Sequence, residues 1–112
     1  MPPFSQPDSQ DKFHIRLMFD WGGGCLWAAN GTASATFGIG AIEFRLPLSP
    51  ALLEQLDMLS KWHDTALDWD NPTGPSPWLE DEVFRFEAAA KAVQLDLQAE
   101  LGEAFIISYQ PL

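Results

Sequence analysis

The sequence has one cysteine, Cys25, in 112 residues. No disulfide can close within the chain, and no site built from several thiolates can form. Such sparing use of cysteine fits a reducing compartment. Basic residues are scarce as well: six Lys and Arg stand against 16 Asp and Glu, a formal charge of −10. A chain so charged repels phosphate backbones and anionic lipid surfaces, which argues against nucleic-acid binding and membrane binding. It favours a partner with a basic surface, because opposite fields steer encounter. The plainer role of the same charge is to keep the surface solvated. No apolar run approaches the ~20 residues of a membrane span. Residues 1–11, MPPFSQPDSQD, lack the basic-then-apolar order of a signal peptide. A cytoplasmic protein is expected.

What the chain does have is material for a core. Apolar residues make up 46% of it, with five Trp and eight Phe. Trp rarely buries completely, so some indole surface is expected near solvent. Residues 1–11 read as a disordered N-terminal tail, and residues 12–112 as a single α+β domain.

Phe13, Ile15, Leu17, Phe19 and Trp21 alternate with polar neighbours, the period of a strand with one buried face. Gly22, Gly23 and Gly24 end it. Cys25–Ala29 reads as a second strand, Asn30-Gly31 as a two-residue hairpin turn, Thr32–Phe37 as a weak third strand, and Ala41–Leu46 as another. Ser49-Pro50 is a capping hydroxyl followed by proline at the first helical position. The helix that follows, to about Leu67, gathers Leu52, Leu53, Leu56, Leu59, His63, Ala66 and Leu67 on one face. Asn71-Pro72 and Gly74-Pro75 mark a loop. Ser76-Pro77 repeats the helix-start device. A second helix carries Leu79, Val83, Phe86, Ala90, Val93, Leu97 and Leu101 as one stripe and stops at Gly102. Ala104–Tyr109 is an apolar strand suited to a central position. The expected fold is an antiparallel sheet of three to four strands with two antiparallel helices packed on one face.

No complete active site is visible. The glycine run lacks the Gly-Lys-Ser/Thr ending of a phosphate loop. Cys25 has no base placed near it by the sequence and reads as a buried structural thiol. His63, with Asp64, Asp68 and Asp70, suggests a small metal-binding or hydrolytic centre. Helical phase argues against that: His63 falls in the middle of the apolar face and Asp64 about 100° away. A hydrogen-bonded core histidine is the simpler reading. No enzyme activity, cofactor or metal is therefore expected. The densest acidic region is Asp64, Asp68, Asp70, Glu80, Asp81 and Glu82, interleaved with Trp69 and Trp78. Glu80, Asp81 and Glu82 are explained by the dipole at a helix start. Trp69 between two aspartates in a loop is not, and aromatics ringed by charge suit an interface. Asp64, Asp68, Trp69, Asp70, Trp78, Glu80, Asp81 and Glu82 are the candidate partner-binding residues.

The segments Met18-Phe19-Asp20-Trp21, Gly24-Cys25-Leu26-Trp27, Leu46-Pro47-Leu48-Ser49-Pro50, Leu59-Ser60-Lys61-Trp62-His63-Asp64, Leu67-Asp68-Trp69-Asp70-Asn71-Pro72 and Glu100-Leu101-Gly102 resemble a group of short bacterial proteins over most of residues 13–112. That group is similar to the small immunity proteins of polymorphic-toxin systems, including contact-dependent inhibition and Rhs-type toxins. The resemblance implies a cytoplasmic protein that neutralises a cognate toxin by occlusion, with no catalytic residues of its own. The acidic, aromatic loop would then meet a basic surface on the toxin.

Overall fold

A computed structural model describes residues 12–112; residues 1–11, read above as a tail, lie outside the described residues. The elements run β1 (Phe13–Leu17), β2 (Leu26–Ala28), α1 (Gly31–Phe37), a single 3-10 turn (Glu43–Arg45), α2 (Pro50–Asp64), α3 (Glu80–Leu101) and β3 (Phe105–Tyr109). The sheet has three strands in the order β2-β1-β3. β1 pairs antiparallel with β2, Arg16 opposite Trp27, and parallel with β3, Ile15 opposite Ile107. The sheet is thus mixed rather than antiparallel, and the central strand is β1. The apolar β3 lies at an edge.

That edge is closed by side chains. Gln98 of α3 accepts from the Ile107 N–H at 3.0 Å and donates to the carbonyls of Phe105 at 2.7 Å and Gly102 at 3.2 Å. Gln94, one turn earlier, donates to the Ile107 carbonyl at 3.0 Å. Two amides on one helix face take up the backbone groups that a fourth strand would have taken. An apolar run is therefore consistent with an edge position here, because α3 covers it.

The segment between β2 and α2 departs most from expectation. Asn30-Gly31 makes no hairpin. Asn30 has φ −145° and caps α1, accepting from the Ala33 N–H. The same side chain accepts from His14 N and donates to the Lys12 carbonyl. A turn of the expected type needs positive φ at Asn30; a cap needs an extended Asn with a free amide, and β1 supplies further partners for it. Thr32–Phe37 is consequently helix, not strand. Ala41–Leu46 is also not a strand: Ala41 makes one isolated bridge to Trp27, and the 3-10 turn follows. Ile42 and Leu46 are buried four residues apart, a helical spacing, and Glu43 is buried beside them. The Glu43 carboxylate accepts from the N–H groups of Cys25 and Leu26. It closes the start of β2 as a neighbouring strand would.

α2 begins as its sequence dictates, with Ser49 capping the Leu52 N–H and Pro50 in the first turn. Leu52, Leu56, Leu59 and His63 are its buried face. α3 starts three residues later than Ser76-Pro77 suggests. The Ser76 hydroxyl donates to the Ala66 carbonyl and accepts from the Trp78 N–H, so it fastens the loop instead of capping. Leu79 stands at the cap position without a side-chain bond, and Glu80, Asp81 and Glu82 form the first turn. Phe86, Ala90, Val93 and Leu97 are buried, whereas Leu79 and Val83 at the head of the stripe are exposed. Gly102 ends α3 with φ 86°. The two helices are tied at both ends: Glu100 accepts from the Ser49 hydroxyl, and Trp62 Nε1 donates to Glu82 at 2.9 Å. The core joins the sheet to these helices through Ile15, Leu17, Leu26, Ile42, Leu56, Phe86 and Leu97. Among the described residues no helix is long and apolar enough to cross a membrane.

Candidate functional site: an acidic crest beside an aromatic cleft

The loop after α2 is held by short-range bonds that its composition provides. Asp68 Oδ1 accepts from the N–H groups of Asp70 and Asn71, and Gly74 N–H donates to the Asn71 carbonyl. This is the side-chain turn that aspartate favours. Trp78 anchors the loop from below. It is 8% exposed, lies 5.3 Å from the Phe86 ring and 5.9 Å from Trp62, and donates from Nε1 to Thr65 Oγ1. Trp78 is therefore a core residue, with only a small part of its indole left at the surface. Trp69 is the opposite case: it is 56% exposed, and its Nε1 donates to the Asp64 carbonyl at 2.9 Å. That bond stands the ring against the end of α2 while leaving it in solvent.

Asp68, Asp70, Glu80 and Asp81 are exposed with Trp69; Asp64 and Glu82 are half-buried. Asp64 accepts from the Gly22 N–H at 3.0 Å, and Glu82 from Trp62. Among the described residues only Asp81 of this group meets a cation, Arg85 at 3.4 Å one turn on. The other ion pair among the described residues is Lys61–Asp57. Among the described residues, Asp64, Asp68, Asp70, Glu80 and Glu82 form no ion pair.

Next to the crest lies an open cleft of about 540 Å³ lined by Phe19, Trp21, His63, Ala66, Ser76, Trp78, Val83 and Leu112. His63, 3% exposed, stacks on Trp21 with centroids 4.2 Å apart and planes 20° apart. Phe19 and Phe86 lie on other sides at 5.7 and 5.8 Å. The helical phase put His63 in the core correctly, and its Nδ1 is buried there with no partner. Burial pushes the imidazole below its ordinary value near 6.5, against the opposing pull of the Asp64 and Asp20 charges. Histidine so placed is neutral and offers one unfilled nitrogen.

His63, Asp64, Asp68 and Asp70 do not converge. Among the described residues no group of three or more His, Cys, Asp or Glu side chains is gathered as a metal site needs. Asp64 turns to the glycine loop, Asp68 caps its own turn, and His63 lies under an indole. Burial and the Glu43 charge push the Cys25 thiol up to about 12, which disfavours its thiolate.

Trp21 was not legible as a surface residue, whereas Asp20 is exposed as the alternation assigns it. Alternation assigns Trp21 to the buried face of β1, yet β1 ends at Leu17 and Trp21 is 44% exposed. The signal was the glycine run, which releases the chain from the strand's alternation just after it. The sequence from residue 13 to residue 112 matches the model of a family described as Serratia CdiI immunity protein-like. No curated protein matches the chain.

Proposed function

The chain belongs to the Serratia CdiI immunity protein-like family, and from that premise we propose that it is the immunity protein of a contact-dependent inhibition system, binding one cognate toxin and silencing it. The observation that carries this is the extent of the match, residues 13–112, which takes in every element of the fold. In this reading the protein is a non-enzymatic inhibitor acting in the cytoplasm by occlusion. The docking surface is the acidic crest: Asp64, Asp68, Asp70, Glu80, Asp81 and Glu82 face a basic region of the toxin, Trp69 is the exposed anchor, and Trp78 braces the loop beneath. Uncompensated carboxylates speed encounter with a basic surface, and an exposed indole supplies apolar area at the centre of an interface. Neither nucleic acid nor membrane is a partner in this reading.

The test is co-expression with the toxin domain encoded beside this gene. Cells making both grow, cells making the toxin alone stop, and the purified proteins form a complex whose association rate falls steeply with salt. Continued growth arrest despite full expression of the chain, with no complex by calorimetry, overturns the proposal.

A further inference from the structure

The aromatic cleft beside the crest carries features that a merely solvated surface does not. Trp21 and Phe19 form its walls, and Trp78 and His63 lie deeper. His63 Nδ1 is the buried side-chain nitrogen among the described residues that lacks a partner, and such a group normally marks a missing partner, which for the tautomer protonated at Nε2 is a donor. Two carboxylates stand beside it. Asp20 accepts from the Trp21 N–H and Asp64 from the Gly22 N–H, each through one oxygen, and neither forms an ion pair among the described residues. Their bonds to the Trp21 and Gly22 N–H groups hold both carboxylates at the segment that carries the Trp21 wall of the cleft. Aromatic faces, a neutral acceptor and two unpaired carboxylates together match one side chain: a flat cation with several N–H donors and an aliphatic stem. Guanidinium stacks on indole and forks onto carboxylates, whereas ammonium does neither as well.

We propose that the cleft framed by Phe19, Trp21, His63 and Trp78 is the socket for an arginine side chain of the partner protein, gripped by Asp20 and Asp64. The claim rests on the immunity reading for the identity of the partner, though not for the chemistry of the socket. Trp21 covers the imidazole, so the guest reaches Nδ1 by displacing the indole. Trp21 is followed by three glycines, the first with φ 65°, so the segment carrying it has little bulk to move.

The probe is N-acetyl-arginine amide, followed by proton–nitrogen NMR on the full chain. Its addition shifts the Trp21 indole N–H and the Asp64 amide saturably, in the millimolar range expected for one side chain. N-acetyl-citrulline amide, the same shape without charge, leaves them still, and N-acetyl-lysine amide binds more weakly than arginine. The double variant Asp20→Asn with Asp64→Asn keeps both backbone bonds and weakens arginine binding about tenfold. Equal shifts with citrulline or lysine, no shift at Trp21, or unchanged binding in the double variant each overturn the socket. In cells, Trp21→Ala loses protection that the unaltered chain gives. A Trp21→Ala chain that protects fully sinks the socket and leaves the immunity reading standing. An unaltered chain that fails to protect sinks the immunity reading, and the arginine titration still decides the socket.

Discussion

Replacing Gln98 by alanine tests how the exposed side of the sheet is kept closed. The Gln98 amide makes three bonds to backbone, to Ile107 N–H and to the carbonyls of Phe105 and Gly102. Each such bond contributes about 0.5–1.5 kcal/mol net. Water reaches part of this half-buried edge and replaces some of the loss, so the expected destabilisation is about 2 kcal/mol. At about 4 °C per kcal/mol for a domain of this size, the Tm falls by about 8 °C. Urea unfolding gives the energy and amide hydrogen exchange gives the place: the Ile107 amide exchanges faster in the variant, while amides of β2 change only with global stability. Gln55→Ala, an exposed glutamine of α2, serves as the control and costs less than about 0.5 kcal/mol. The opened edge also invites pairing with another chain, visible as concentration-dependent association. A Gln98→Ala protein as stable as the control, with Ile107 exchange unaltered, refutes the role given to these amides.

The two loop tryptophans separate core from surface. Trp78→Ala destabilises by about 3–5 kcal/mol, and Trp69→Ala by less than about 1 kcal/mol while weakening the toxin complex; comparable losses of stability in both, by chemical denaturation, contradict the placement. His63 gives a pH signature. Its folded value lies below the unfolded one, so the unfolded chain takes up the proton first; the stability it contributes is full above about 6.5 and is lost as pH falls through the lowered folded value. His63→Phe removes that part of the slope of Tm against pH, and an identical slope in both proteins speaks against it. Cys25, 1% exposed with its thiol raised to about 12, reacts with a thiol reagent at neutral pH only as fast as the protein opens; rapid native labelling counts against its burial.

Legibility followed the length of the signal. α2 and α3 repeat one apolar face over several turns, and their caps at Ser49 and Gly102 are local chemistry that needs no tertiary context. Residues 25–46 were opaque for the converse reason. Asn30-Gly31 suits a hairpin and a helix cap equally, and His14 and Lys12 on β1 decide between them. Ala41–Leu46 has strand composition, yet the unfilled N–H groups of Cys25 and Leu26 draw Glu43 inward. The parallel pairing of β1 with β3 is invisible to any local pattern. Of the candidate surface, the acidic content was plain in composition. Whether an indole faces outward was not: Trp69 and Trp78 lie in the same loop, and only the tertiary contacts of Trp78 with Phe86, Trp62 and the Thr65 hydroxyl set it inside.

The strand flanked on both sides, β1, is made before either neighbour, and Phe13 must wait for Phe105 to emerge before their ladder can close. During translation β1, whose Ile15 and Leu17 are fully enclosed at the end, has only β2 to pair with in the sheet until β3 is made. Folding is thus completed after synthesis of the last strand, not along the way. A chain stopped before residue 105 keeps the local bonds of the loop after α2 but leaves β1 without its parallel neighbour. In the immunity reading, shelter for the cell waits on that last strand.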